Sequence, residues 1–215
     1  MITATRPDPT RDPWVYRPLP REHASVRLFC FPYAGAGPAL FRSWAGRLPP
    51  SVELFGVRAP GRERRIREPP HTEWAGLIAA MCTALTPYFD RSVAFFGHSL
   101  GASIAYELTR ELRRRGKKRP TRLFLSARRS PDSPRLAPTH ALPRPEFFAR
   151  LAAMNGTPAE ILNDAHVMTL LEPTLRADVQ LAETCPASDG EPVDVPIVAF
   201  AGASDEIAPP EYITH

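Results

Sequence analysis

A chain of 215 residues, 43% of them hydrophobic, is long enough to fold as one sizeable domain around its own core. It holds no apolar run of about 18 residues, which excludes a membrane span, and its polar, proline-rich start over 1–13 lacks the apolar stretch of a secretory signal. The net charge of +4 is modest, and Cys30, Cys82 and Cys185 are widely spaced with two inside apolar patterns, which fits buried free thiols in a reducing cytoplasm better than a disulfide or metal site.

Residues 1–24 read as an extended or disordered lead-in, with Trp14 and Tyr16 as anchors, and 25–215 as a single domain. Val26 to Phe31 is a short strand-forming run that stops at Pro32 and a turn, Tyr33-Ala34-Gly35-Ala36-Gly37. Phe41 to Leu48 suits a short helix and Val52 to Val57 a second strand. The polar stretch 58–71 is rich in arginine and proline. From Trp74 to Phe89 the apolar residues Trp74, Leu77, Ile78, Met81, Leu85 and Tyr88 recur at helical spacing. A strand over 93–96, a helix from about Ala102 to Arg115 stopped by Gly116, and strands over 122–127 and 195–201 complete the series.

Nearly all-apolar strands separated by helices imply a mostly parallel sheet with helices on both faces. The stretch of about 60 residues between the last two strands is too long for an ordinary connection. Its helical patterns, over 146–154 and 158–181, make it a helical insertion at about 130–192 that covers the strand ends as a lid. Phe147, Phe148, Leu151 and Met154 either shape a pocket there or simply pack, and helical spacing favours packing.

Two arginine-rich clusters stand out: Arg58, Arg62, Arg64, Arg65 and Arg67, and Arg113, Arg114, Arg115, Lys117, Lys118 and Arg119. A solvated loop and a solvated helix end are the first reading, the second because cations suit a helix C-terminus. An acidic protein partner is the alternative; nucleic acid is not expected, since neither cluster is interleaved with aromatics.

The segment Val93 to Gly101 carries the chemistry. It is an apolar strand running into Gly97-His98-Ser99-Leu100-Gly101, with a helix behind it. A serine hydroxyl becomes a nucleophile only when the backbone holds it exposed beside a base, and a strand, a sharp turn and a helix do that. Acyl transfer also needs two N–H donors aimed at the developing oxyanion. Leu100 supplies one, and the glycine-rich turn after Pro32 supplies the other, best from Ala34. Asp205, after the last apolar strand, is placed as the acid in the chain order serine, acid, histidine. The alternative for Asp205 is a cap on the turn toward Pro209–Tyr212.

Six histidines are present, and the base is the open member. His98 sits inside the elbow, where its ring should point away from the hydroxyl. His23 precedes the first strand, His71 ends the arginine-rich loop, and His140 and His166 belong to the lid. Only His215 follows the acid.

Several stretches together resemble the type II (editing) thioesterases of polyketide and nonribosomal peptide biosynthesis, which are α/β-hydrolases. They are Phe29–Gly35, Arg58-Ala59-Pro60-Gly61-Arg62-Glu63, Phe96–Ala102, Leu125–Arg129 and the run Leu171–Asp178. The loop over 58–63 and the run over 171–178 are far more specific than the serine motif. The resemblance implies an α/β-hydrolase with Ser99 as nucleophile, Asp205 as triad acid, and Ala34 and Leu100 as oxyanion donors. The family's histidine sits in a downstream Gly-His-Phe-type segment that this sequence lacks. The expectation is therefore a chain short of the last strand and of the catalytic histidine.

The activity expected on this basis is that of a serine thioesterase, cytoplasmic and monomeric, that hydrolyses acyl groups from the phosphopantetheine arm of an acyl or peptidyl carrier protein. No metal, cofactor, membrane or nucleic acid is expected to take part. Another lidded serine esterase, or a catalytically impaired member that only binds carrier proteins, are the alternatives.

Overall fold

The computed structural model describes residues 8–9, 11–130, 138–154, 161, 164–187, 191–205 and 207–212. Six strands form one sheet: β1 (Val15–Tyr16), β2 (Val26–Phe31), β3 (Val52–Val57), β4 (Ser92–His98), β5 (Arg122–Ser126) and β6 (Ile197–Phe200), in the spatial order β1-β3-β2-β4-β5-β6. β1 runs antiparallel to β3, and all other pairs are parallel. Among the described residues five α-helices accompany them: α1 (Arg42–Ala45), α2 (Trp74–Leu85), α3 (Leu100–Arg114), α4 (Arg144–Ala153) and α5 (Ala165–Glu183).

The strands are apolar on both sides because both faces of the sheet are covered. Phe29, Phe31, Phe55, Val57, Val93, Phe95 and Leu123 point to one face and pack with α2, α3 and Leu181 of α5. Their neighbours Leu28, Cys30, Leu54 and Ala94 point to the other, against Phe41 and Ala45. This period of two, repeated in adjacent strands, locks the register: a one-residue slip would turn each side chain to the wrong face.

The stretch 11–24 is extended but held to the domain. Val15 pairs with Val57 and is 3% exposed, and Tyr88 donates its hydroxyl to Asp12 Oδ2 at 2.7 Å. The expected α3 start at Ala102 moves to Leu100, since the turn at Ser99 delivers the chain directly into the helix.

Between β5 and β6 the described residues contain helices and no strand. Of the helical pattern expected over 158–181, residues 158–160, 162 and 163 lie outside the described ones. α5 is capped by Asp164, whose carboxylate accepts from His166 N and Val167 N. Its buried residues Met168, Leu175 and Val179 pack with Phe147 and Leu151 of α4. Leu181 joins the main core instead, and Trp74 Nε1 donates to its carbonyl at 2.9 Å. The insertion is thus riveted to the sheet domain along the second half of α5. Phe147 and Leu151 are packing residues, while Met154 is 39% exposed.

Among the described residues the outer edge of β6 pairs with no strand, and Ile197 and Phe200 on it are each 46% exposed. No helix among the described residues is long and apolar enough to cross a membrane.

Candidate active site

The C-terminal ends of the parallel strands finish level. Phe31 pairs with Gly97, His98 with Ser126, and Ser126 with Phe200. The turn over 33–37, Ser99, the loop 127–130 and Asp205 therefore all leave one edge of the sheet, the place where open α/β sheets bind ligands.

Ser99 occupies φ 53°, ψ −116° between β4 and α3. A side chain is rarely held in that region, and the strain persists only where surroundings over-determine it. Here Ser99 N donates to Ser126 O at 2.8 Å, and the glycines on either side let α3 close against β2. Ser99 is the N-cap residue by position, yet its side chain makes no capping hydrogen bond. The residue is half-buried at the rim, so a cap does not explain this serine.

Leu100 N is the first amide of α3, a helix of 15 residues, and the amides at a helix start favour negative charge. In the turn after β2, Ala36 N donates to Tyr33 O at 3.0 Å and Gly35 N to Asp178 Oδ2 at 2.7 Å. The amide that precedes them, Ala34 N, and that of Leu100 are both without an intramolecular acceptor among the described residues.

Asp205 follows β6 and does cap its own turn: Oδ1 accepts from Ile207 N and Ala208 N, both at 2.9 Å. Oδ2 has no partner among the described residues. β6 lies two strands from β4, roughly 10 Å across the sheet, so Ser99 and Asp205 leave the same edge on either side of β5.

None of the described histidines hydrogen-bonds Ser99. His98 turns its Nδ1 to Ser126 Oγ at 3.0 Å and packs its ring edge-on against Tyr33. Burial pushes its pKa down, and the charge of Asp205 partly offsets this. His140 Nδ1 meets Glu183 Oε2 at 2.5 Å on the insertion, His71 stacks on Trp14, and His23 and His166 are exposed. His215 lies outside the described residues.

Of the first arginine cluster, Arg64 and Arg67 are exposed as a solvated loop would have them, but the other three are not. Arg58, Arg62 and Arg65 are 5%, 8% and 7% exposed. Arg58 Nε donates to Glu63 Oε2 at 2.6 Å, and Arg65 Nη2 to Glu68 Oε2 at 2.6 Å. Arg62 forks onto Asp178 of α5, Nη1 to Oδ2 at 3.1 Å and Nη2 to Oδ1 at 2.9 Å. Thr174 Oγ1 adds a hydrogen bond to Gly61 O at 2.6 Å. These contacts join the two stretches that the sequence marks as most specific. Composition could not reveal it, because the partner carboxylate lies 116 residues away. The second cluster does match a solvated helix end, with Arg114 and Arg115 paired to Glu111 and Arg119 to Asp194.

Among the described residues no cluster of three or more histidine, cysteine or carboxylate side chains is arranged to hold a metal ion. The three cysteines are unpaired, and burial pushes the pKa of each up, most of all at Cys30.

Comparison with known families decides the class, since the thioesterase domain model matches residues 26–212. The chain belongs to the thioesterase domain family. Within that family it is 38% identical over 183 residues to the gramicidin S biosynthesis protein GrsT of Aneurinibacillus migulanus, covering 85% of this chain and 72% of that one. It is 37% identical over 200 residues to the thioesterase PikA5 of Streptomyces venezuelae, covering 91% and 70%. Its fold superposes on the RedJ thioesterase of the prodiginine pathway in Streptomyces coelicolor with a TM-score of 0.82, at 34% identity and over 99% and 80% of the two chains. The α/β-hydrolase reading of the sheet thus holds. As a thioesterase, the chain keeps its serine elbow and glycine-rich turn on the same sheet edge.

Proposed function

We propose that this thioesterase hydrolyses acyl groups from the phosphopantetheine arm of acyl or peptidyl carrier proteins in polyketide or nonribosomal peptide biosynthesis, clearing stalled or aberrant units. Ser99 Oγ attacks the thioester carbonyl. The N–H groups of Ala34 and Leu100 receive the oxyanion, the thiolate of the arm leaves as a thiol, and water then releases the free acid from the acyl-enzyme. Asp205 orients the imidazole that accepts the serine proton and returns it to the leaving group. In the chain order serine, acid, histidine that imidazole comes after the acid, and His215 is the one histidine of the given sequence in that position.

One observation carries the proposal: Ser99 is held at φ 53° with a hydroxyl that caps nothing, in a chain of the thioesterase family. Strain at a serine without a structural task for its side chain fits a nucleophile. GrsT and PikA5 support the substrate class, the first by a name that places it in gramicidin S biosynthesis and the second by one that makes it a thioesterase. On this reading the enzyme is cytoplasmic and monomeric and works on a soluble carrier protein.

The test compares one acyl group on a carrier protein with the same acyl group on a free pantetheine mimic. Faster hydrolysis from the carrier is expected, with a loss of about 10³-fold or more in Ser99→Ala. Equal rates on both substrates reject the carrier as partner. Undiminished turnover in Ser99→Ala rejects the nucleophile, and undiminished turnover in His215→Ala removes His215 as the base.

A further inference from the structure

Asp178 is charged, 2% exposed and lies on the helical insertion, yet its carboxylate meets the sheet domain at two places. Oδ1 and Oδ2 take the fork of Arg62, and Oδ2 also accepts from Gly35 N at 2.7 Å. Arg62 Nη1 in turn donates to Ala36 O at 3.1 Å. The turn after β2 is therefore gripped on both sides of the Gly35–Ala36 link by one buried ion pair. The same helix presses on the turn sterically, since a Cβ on Gly35 would fall 2.5 Å from Leu175 Cδ2.

From this geometry we infer that Asp178 is a positioning residue for the oxyanion turn: by fixing Gly35 N and, through Arg62, Ala36 O, it sets the direction of the Ala34 N–H. The inference rests on the reading of Ala34 as an oxyanion donor. A free turn of small residues and glycines would sample many orientations, and an oxyanion donor is effective only when it is aimed in advance. An ion pair is stiffer than a neutral contact when both partners are buried and share several hydrogen bonds. Because Asp178 belongs to the insertion, a shift of α5 would also withdraw the acceptor from Gly35, so the cover and the donor turn act as one unit.

Two readouts separate this inference from the function on which it rests. The first is amide hydrogen exchange of residues 33–37; the second is the rate at which a fluorophosphonate labels Ser99. Asp178→Asn removes the charge, and the double variant Arg62→Leu/Asp178→Leu removes the pair without stranding a buried cation. In both, exchange in the turn is expected to rise at least about tenfold while β2 and β4 stay protected. Labelling is expected to slow by about tenfold to a hundredfold, as for a donor misaimed rather than lost, and the KM for an acyl thioester to stay within about twofold. Unchanged exchange in the turn overturns the inference. Faster exchange with unchanged labelling overturns it too, because the turn would then not serve the serine. Labelling as rapid in Ser99→Ala as in the parent chain would instead bring down the nucleophile itself, and the inference with it.

Discussion

Gly97 and Gly101 face each other across the elbow with no room for a methyl group between them. A Cβ on Gly97 would lie 2.2 Å from Gly101 O, and one on Gly101 would lie 2.1 Å from Phe31 O. Both obstacles are backbone, so neither can rotate away. Gly97→Ala or Gly101→Ala must push α3 off the sheet or twist the turn at Ser99. Overpacking of this kind costs about 3 kcal/mol or more when no side chain can yield. Urea unfolding should show that loss for each variant, and Gly46→Ala, where nothing lies within 4 Å, should stay within about 0.5 kcal/mol.

At the opposite end of the strands, Glu53 is fully buried and accepts from Arg17 Nε at 2.8 Å and Arg21 N at 3.0 Å, with Arg27 Nε at 3.5 Å. Arg27, 1% exposed, has further partners in Tyr88 O at 2.7 Å and the carboxylate of Asp90. Glu53→Gln keeps the shape but leaves two arginines with one carboxylate fewer. Breaking a buried pair from one side costs about 3–5 kcal/mol, and the remaining partners of Arg27 put the expected loss at the lower end of that range. The exposed pair Arg114–Glu111, whose arginine side chain is 77% exposed, should lose no more than about 0.5 kcal/mol in Arg114→Ala. Denaturant titrations of the two variants measure that contrast directly.

The frame is legible in the sequence because it depends on local pattern. Strands over 26–31 and 52–57 are found with those bounds, since mostly apolar runs, each broken by one charged residue and flanked by proline or polar turns, admit little else. The elbow is legible for the same reason, strand, serine and helix being contiguous. The burial of Arg58, Arg62 and Arg65 is not, because charge alone reads as solvated, and their burial depends on Glu63, Asp178 and Glu68. For Asp205 the sequence leaves two roles open, catalytic acid or cap, and its Oδ1 does cap the turn at 207–208. The two roles are compatible, since one carboxylate oxygen can anchor while the other serves.

Acid should weaken the fold through its half-buried histidines. The pKa values of His98 and His71 are both lowered by burial, at His71 with added repulsion from Arg65. In the unfolded chain a histidine takes a proton near about pH 6.5. As pH falls through that value, the unfolded state binds protons that the folded state refuses, so stability drops until the depressed folded pKa is reached. The melting temperature should fall between about pH 7.5 and about pH 5, the window around the unfolded histidine pKa. The fall should shrink in His98→Gln, which can still bond Ser126. An identical fall in His98→Gln would assign the effect elsewhere.

The contact between Gly61 and Thr174 separates strain from collision in the joint between loop and insertion. Gly61 has φ +85°, and a Cβ there would lie 2.6 Å from Thr174 Oγ1, the hydroxyl that donates to Gly61 O. Gly61→Ala thus suffers twice: a backbone penalty of about 1–2 kcal/mol for a side chain at positive φ, and displacement of the helix that carries Asp178. Thr174→Ala alone loses one hydrogen bond, worth about 1 kcal/mol. In the double variant the collision with the hydroxyl is gone but the φ penalty stays. The double variant should then be destabilised by less than the sum of the singles, by about 1 kcal/mol in a thermodynamic cycle. Strict additivity would mean that the helix does not press on the loop, and that the joint is held by the Arg62–Asp178 pair alone.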